Sequence, residues 1–226
     1  MRVLITGAAG YIGRRLTRAL GAGHELRLGD VVPIAADRRF VPCDVTNPEQ
    51  VAAAIQGIDA VIHLAIAAGR EGDFEDDEFN QRRFDINVRG TFNVLEAAVA
   101  SDAPACPVGT YAKTKQLAEI LCGHAALESE LSVICLRIAK PIDLDDSRWK
   151  TRPVRPQWVP FPDLEQAYRL ALTATRVGFE IVTIVGESSR RRWDLSKAER
   201  VLGYRPRYRL EDLGYTLGSE TEPFET

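Results

Sequence analysis

Tyr111 and Lys115 are four residues apart in the run Tyr-Ala-Lys-Thr-Lys, so on a helix they share one face. An ammonium beside a phenol favours the phenolate and lowers the Tyr pKa toward neutrality. A general acid/base for alcohol–carbonyl interconversion needs that property. Such a pair arises often by chance and gains meaning only beside a second site. One lies near the N-terminus, where Gly7-Ala8-Ala9-Gly10-Tyr11-Ile12-Gly13 separates a strand-like run from a helical one. Gly7 permits a tight turn, Gly10 lets the backbone approach a pyrophosphate, and Gly13 lets helix and strand pack closely. The helix that starts there turns N–H groups and its positive dipole end toward the phosphates. Asp30 stands 20 positions after Gly10, where a carboxylate accepts ribose hydroxyls and repels a 2′-phosphate. No basic residue follows it directly, so the expected cofactor is NAD rather than NADP.

The elements that would position these groups alternate. Val3–Thr6 is a continuous apolar run, read as a strand buried on both faces. Tyr11–Leu20 is an amphipathic helix, Glu25–Gly29 and Phe40–Cys43 are strands, and Ala60–Ala65 is another. Between the last two lies a helix with Asn47 as cap, Pro48 at its first position and Gln50 three residues after the cap. Long helices are expected from about Phe79 to Ala100 and from Tyr111 to Leu127, then a strand at Leu131–Ile138. Asp163–Ala174 and Leu195–Leu202 read as helices and Phe179–Val185 as a strand. The acidic stretch Glu71–Asp77 reads as a solvated loop, Pro141–Pro162 as irregular chain, and the tail after Gly214 as frayed. Strands alternating with helices argue for an α/β chain with a parallel sheet covered on both faces.

Composition narrows the function classes. The 226 residues carry 29 Lys+Arg against 32 Asp+Glu, a net charge of −3. That balance gives no field to attract nucleic acid or an anionic membrane. No apolar run reaches the length of a membrane span. The four cysteines, Cys43, Cys106, Cys122 and Cys135, form no CxxC pair, so neither a metal site nor a disulfide framework is expected. A strand-like run begins at once, so no signal peptide is expected, and the chain reads as reduced and cytoplasmic.

These residues resemble the extended short-chain dehydrogenase/reductases of the NAD-dependent epimerase/dehydratase type. The resemblance covers most of the chain: the Gly7–Gly13 turn, Asp30, Cys43-Asp44-Val45, His63-Leu64-Ala65, Asp85–Thr91, the Tyr111/Lys115 pair, Leu136-Arg137-Ile138, Trp193–Ala198 and Leu202–Pro206 occur in the family's order. The short C-terminal part is most similar to uronate dehydrogenases. The resemblance implies a doubly wound parallel Rossmann sheet. Residues 1–140 would form the NAD-binding core, and residues 141–226 a small substrate-side portion. It implies that Gly7, Gly10, Tyr11, Ile12, Gly13 and Asp30 hold the dinucleotide, that Asp44 and Val45 meet the adenine, and that Leu64 and Ala65 line the cofactor. Asn87 would support the active-site helix, Tyr111 would act as acid/base, Lys115 would hold the nicotinamide ribose, and Ile138 would lie against the nicotinamide. An Arg would grip a substrate carboxylate, with Arg148, Arg152 and Arg155 as candidates. His63 and Trp193 read as structural. A homodimer through the two long helices is the family's habit.

One part of the pattern breaks. Between the Asn-bearing helix and the Tyr111 helix the family has a fifth parallel strand, whose end supplies a Ser or Thr that polarises the substrate carbonyl. Here only Ser101–Thr110 joins the two helices, with two prolines, a glycine and almost no β-branched residue. The strand and its hydroxyl are expected to be lacking. Ten residues can still span the sheet as irregular chain. Alternatively, Leu131–Ile138 pairs directly with Ala60–Ala65, or a segment between Ala100 and Tyr111 is missing from the sequence. Two functions remain open: an NAD-dependent oxidoreductase or epimerase acting on a sugar or sugar acid, or a non-catalytic NAD(H)-binding sensor or interaction protein.

Overall fold

A computed structural model describes residues 1–67, 77–101, 105–107, 112–175 and 177–218. Two compact units are recognised: Met1–Leu136 with Thr175–Ile181, and Arg137–Ala174 with Val182–Thr226.

The first unit is built on a parallel sheet. Strand β1 (Arg2–Thr6) has Val3, Leu4 and Ile5 fully buried, as an apolar run covered on both faces requires. Helix α1 (Tyr11–Leu20) turns Gly13, Leu16 and Leu20 inward. Strands β2 (Glu25–Asp30) and β3 (Phe40–Pro42) follow, then helix α2 (Pro48–Ile55) and strand β4 (Ala60–His63). Asn47 caps α2 by accepting the N–H groups of Glu49 and Gln50. Gln50 does not close a capping box onto Asn47; its Oε1 accepts the Asp44 N–H at 2.8 Å instead. The sheet order is β3-β2-β1-β4-β5, where β5 is Ala105–Pro107. All these strands are parallel, and the order in which they are laid down reverses between β1 and β4, where open α/β sheets place their ligands.

The expected long helix is three segments: α3 (Asp77–Phe84), a π-helical turn (Asp85–Arg89) and α4 (Gly90–Ser101). Hydrophobic periodicity does not register the single wider turn. Helix α5 (Ala112–Glu128) packs against α4. Leu4, Val61, Val94, Ala98, Cys122, Val133 and Cys135 meet in the core beside the sheet.

The expectation of a lacking fifth strand is corrected. Ala105–Pro107 forms strand β5, parallel to β4, with Val61, Ile62 and His63 opposite Ala105, Cys106 and Pro107. An already ordered β4 edge supplies the pairing that the local sequence does not favour. Proline is tolerated because β5 is the last strand of this sheet among the described residues and Pro107 ends it. Direct pairing of Leu131–Ile138 with β4 does not occur, since β4 lies between β1 and β5. Strand β6 (Val133–Ile138) pairs instead with β9 (Phe179–Ile184).

In the second unit, Pro141–Ile142 (β7) pairs with Val159–Pro160 (β8), so the stretch expected to be irregular holds two short strands and a 3₁₀ turn at Ser147–Lys150. Helices α6 (Phe161–Thr173) and α7 (Ser196–Leu202) complete it. Asp163, fully buried at the start of α6, accepts the N–H groups of Arg207 and Tyr208 at 2.9 and 3.1 Å. Its carboxyl is pushed up by burial, and those two bonds oppose the shift. The Tyr204 hydroxyl donates to the Val185 carbonyl at 2.9 Å. No described helix is long and apolar enough to cross a membrane. Among the described residues no group of His, Cys, Asp and Glu could hold a metal ion.

Candidate functional site: a dinucleotide cradle backed by a buried lysine

The cradle forms where β1 turns into α1. Gly7 has φ +69°, and a Cβ there would lie 2.7 Å from Ala65 N and 2.8 Å from Leu64 C. Gly10 N–H donates to the Gly7 carbonyl at 3.0 Å and closes the turn. A Cβ on Gly13 would collide with Gly7 O and stand 2.7 Å from Ala8 Cα. Gly10 is the N-cap of α1, with no side-chain cap and no acidic residue in the first turn. The positive end of the helix is thus left to an anion. Tyr11 is exposed and Ile12 partly buried on that first turn.

Asp30, 9% exposed at the end of β2, points back at the same turn. One carboxylate oxygen accepts the Ala9 N–H and the other the Val32 N–H, both at 2.9 Å. Each oxygen keeps a lone pair for a ribose hydroxyl. Beside it, Cys43 N–H donates to the Asp30 carbonyl at 3.0 Å. The Asp44 carboxylate accepts both the Thr46 N–H and its hydroxyl. Val45 is buried, and its carbonyl accepts Asn93 Nδ2 at 2.9 Å. Burial, with Asp44 and Asp30 adding to it, pushes the Cys43 thiol up to about 11, so it is not a nucleophile.

The far wall comes from β4 and the π-helical turn. Leu64 N–H donates to Thr6 O at 3.1 Å. Asn87, fully buried, accepts the Ala67 N–H on Oδ1 at 2.8 Å and so holds the segment that carries Leu64 and Ala65. Lys115 is buried on α5, and burial lowers its ammonium to about 8, with Cys122 and Cys135 acting in the opposite sense. Its charge reaches His63 and adds to the burial that drives that imidazole to about 3. His63 in turn lies 2.7 Å from the hydroxyl of Thr6, the residue before Gly7.

The structure therefore brings Gly7, Gly13, Asp30, Leu64, Ala65, Asn87 and Lys115 to one end of one sheet. Tyr111 lies outside the described residues. Strand β5 carries no hydroxyl residue of its own, and residues 108–111 lie outside the described residues too. Ile138 ends β6, buried, in the second unit. There too, Arg148 is 80% exposed and binds the Asp146 carboxylate through Nε and an Nη. Arg152 is exposed and Arg155 half-buried. Sequence reasoning gave Thr6 and Thr91 no role. Thr6 ends the apolar run Val3–Thr6 and Thr91 ends the stretch Asp85–Thr91, but their shared partner His63 is visible only in three dimensions.

The cradle has a clear match among known proteins. Residues 3–105 match the NAD dependent epimerase/dehydratase family. L-arabinose 1-dehydrogenase (NAD(P)(+)) of Haloferax volcanii is 28% identical, with 91% of this chain and 96% of that protein covered. That comparison runs over 255 positions against 226 residues here, so the relative carries residues this chain lacks. Uronate dehydrogenase of Pseudomonas syringae pv. tomato is 25% identical, covering 91% of this chain and 82% of that one. The crystal structure of uronate dehydrogenase from Agrobacterium tumefaciens shares the fold, with a TM-score of 0.78 at 22% identity over 93% of this chain and 86% of that one. The glycine cradle and Asp30 fit NAD, since a Cβ at Gly7 or Gly13 would fill the space that brings the turn together. The matched stretch, residues 3–105, holds the glycine turn, Asp30 and the Asn87 turn, and there the chain is similar to the NAD dependent epimerase/dehydratase family.

Proposed function

We propose that this chain is an NAD-dependent oxidoreductase of a sugar or sugar acid, with a uronate-type substrate as the leading candidate. The observation that carries the reading is geometric: the glycine turn, Asp30 aimed back at it and the buried Lys115 lie in one unit built on one sheet. The names of the arabinose and uronate dehydrogenases to which the chain is similar support a sugar substrate. Bound NAD would supply hydride chemistry at its nicotinamide carbon. Tyr111 would take the proton from the substrate hydroxyl, and Lys115 would hold the ribose and lower the phenol's pKa. Asn87 holds the Leu64–Ala67 segment through the Ala67 N–H, and that segment would line the cofactor. Arg148, Arg152 or Arg155 would bind the substrate carboxylate, and release from Asp146 would have to come first for Arg148.

A second reading has its own support. Strand β5 is three residues long and bears no hydroxyl to polarise a carbonyl, which favours a non-catalytic NAD(H)-binding protein. A panel of uronates, aldoses and UDP-uronates incubated with NAD separates the two. Formation of NADH, or C4 epimer on the nucleotide sugars, supports the enzyme. Tight NADH binding with no product on any member supports the sensor. A homodimer through α4 and α5 belongs to the same proposal, with Phe92, Leu117 and Ile120 exposed on those helices. Sedimentation equilibrium at twice the chain mass would support it, and the mass of a single chain would remove it.

A further inference from the structure

His63 ends β4 with 1% of its surface exposed, and both of its ring nitrogens face threonine hydroxyls. Thr6 Oγ1 lies 2.7 Å from Nδ1, and Thr91 Oγ1 lies 3.2 Å from Nε2. The protons follow from the donors. Thr91 gives its hydroxyl proton to the Asn87 carbonyl at 2.8 Å, so its oxygen can only accept from His63. Nε2 therefore carries the ring proton, and Nδ1 accepts the Thr6 hydroxyl. Thr6 Oγ1 in turn accepts the N–H groups of Leu64 at 3.2 Å and Ala65 at 3.5 Å. The Leu64 N–H is shared between this hydroxyl and the Thr6 carbonyl, and a doubly protonated ring would leave the Thr6 hydroxyl without its acceptor. Burial and the Lys115 charge both keep the ring neutral.

The ends of this chain are the parts of the cradle that must keep register. One is Thr6, the residue before Gly7. The other is the π-helical turn, where Asn87 holds Ala67 through its side chain and Thr91 through its backbone. A π-turn is not held by helix propensity and needs outside contacts to fix it. The segment Leu64–Ala67 runs between the two, close enough to Gly7 that no Cβ fits. We propose that His63 is a positioning residue of the dinucleotide site: as the Nε2–H tautomer it sets the distance between the Gly7 turn and the Asn87 turn, and so the width of the cradle. The inference rests on the cofactor site and is independent of what Tyr111 does.

Four His63 and Thr91 substitutions in the full chain test it by NADH fluorescence titration, with the melting temperature measured in parallel. The amide nitrogen of His63→Gln reaches the Nε2 position and can donate to Thr91. The amide oxygen of His63→Asn sits near Nδ1 and reaches only Thr6. Thr91→Val removes the hydroxyl from the other side, and Thr91→Ser restores it. Loss of one buried hydrogen bond predicts NADH dissociation constants raised about tenfold in His63→Asn and Thr91→Val. His63→Gln and Thr91→Ser stay within about threefold of wild type, because the Asn87 arm is kept. Affinity that follows melting temperature alone, with His63→Gln as weak as His63→Asn, overturns the proposal, as do unchanged affinities in Thr91→Val. Failure of the wild-type chain to bind NADH would remove the cofactor site itself and this role with it. Wild-type binding with indifferent variants removes only the role.

Discussion

At the residue scale, burial lowers the pKa of two cationic groups, so each makes stability rise with pH, His63 in the acid range and Lys115 in the alkaline one. His63 is held neutral down to about pH 3, against 6.5 for an ordinary histidine. Below pH 6.5 the unfolded chain takes a proton that the folded chain refuses. His63 therefore contributes stability that is present above 6.5 and lost as the pH falls toward 3, at most about 1.4 kcal/mol per pH unit. Lys115 loses its proton near 8 in the fold and near 10.5 when unfolded, so stability rises with pH between those values. Melting temperatures across pH should show both arms, with His63→Phe flattening the acid one and Lys115→Met the alkaline one; unchanged slopes would contradict the assigned protonation states. Gly7, Asp30 and Lys115 were legible in the sequence because a short stretch of covalent chain sets what each must do. Thr6 with His63 and His63 with Thr91 were not, since 57 and 28 residues separate them.

At the element scale, the boundaries of α1 and the Asn47 cap of α2 follow directly from local chemistry. Two features do not. The break of the long helix into a π-turn at Asp85–Arg89 depends on tertiary partners of Asn87 and Thr91, which periodicity cannot register. Strand β5 is not legible in Ala105-Cys106-Pro107, which has little intrinsic strand preference, and the ready edge of β4 outweighs that. The β1–α1 junction is less tolerant. Gly13→Ala places a methyl against Gly7 O and Ala8, where the neighbours are backbone and cannot yield without moving the turn. The expected outcome is destabilisation of about 1–3 kcal/mol and NADH affinity weakened more than tenfold. Chemical denaturation with NADH titration checks it; a wild-type affinity would show that the close approach does not matter.

For the whole molecule, fold and cofactor were readable because the dinucleotide site lies within one unit, on elements ordered by the sheet. Substrate choice was not. The candidate arginines lie in the second unit, where Arg148 is engaged by Asp146 and Lys140 stands 4.5 Å from both the Trp149 and Trp158 rings. None of those pairings has a spacing signature. The resemblance to sugar dehydrogenases extends over most of the chain, while the proposed chemistry would depend on Tyr111. The decisive measurement is the rate of NADH formation from NAD and the best substrate of the sugar panel, in wild type and in Tyr111→Phe, with NADH affinity measured on both. Turnover is expected to fall on the order of a hundredfold or more in Tyr111→Phe, with NADH affinity held within about threefold. Equal rates in the two proteins would contradict this role of Tyr111.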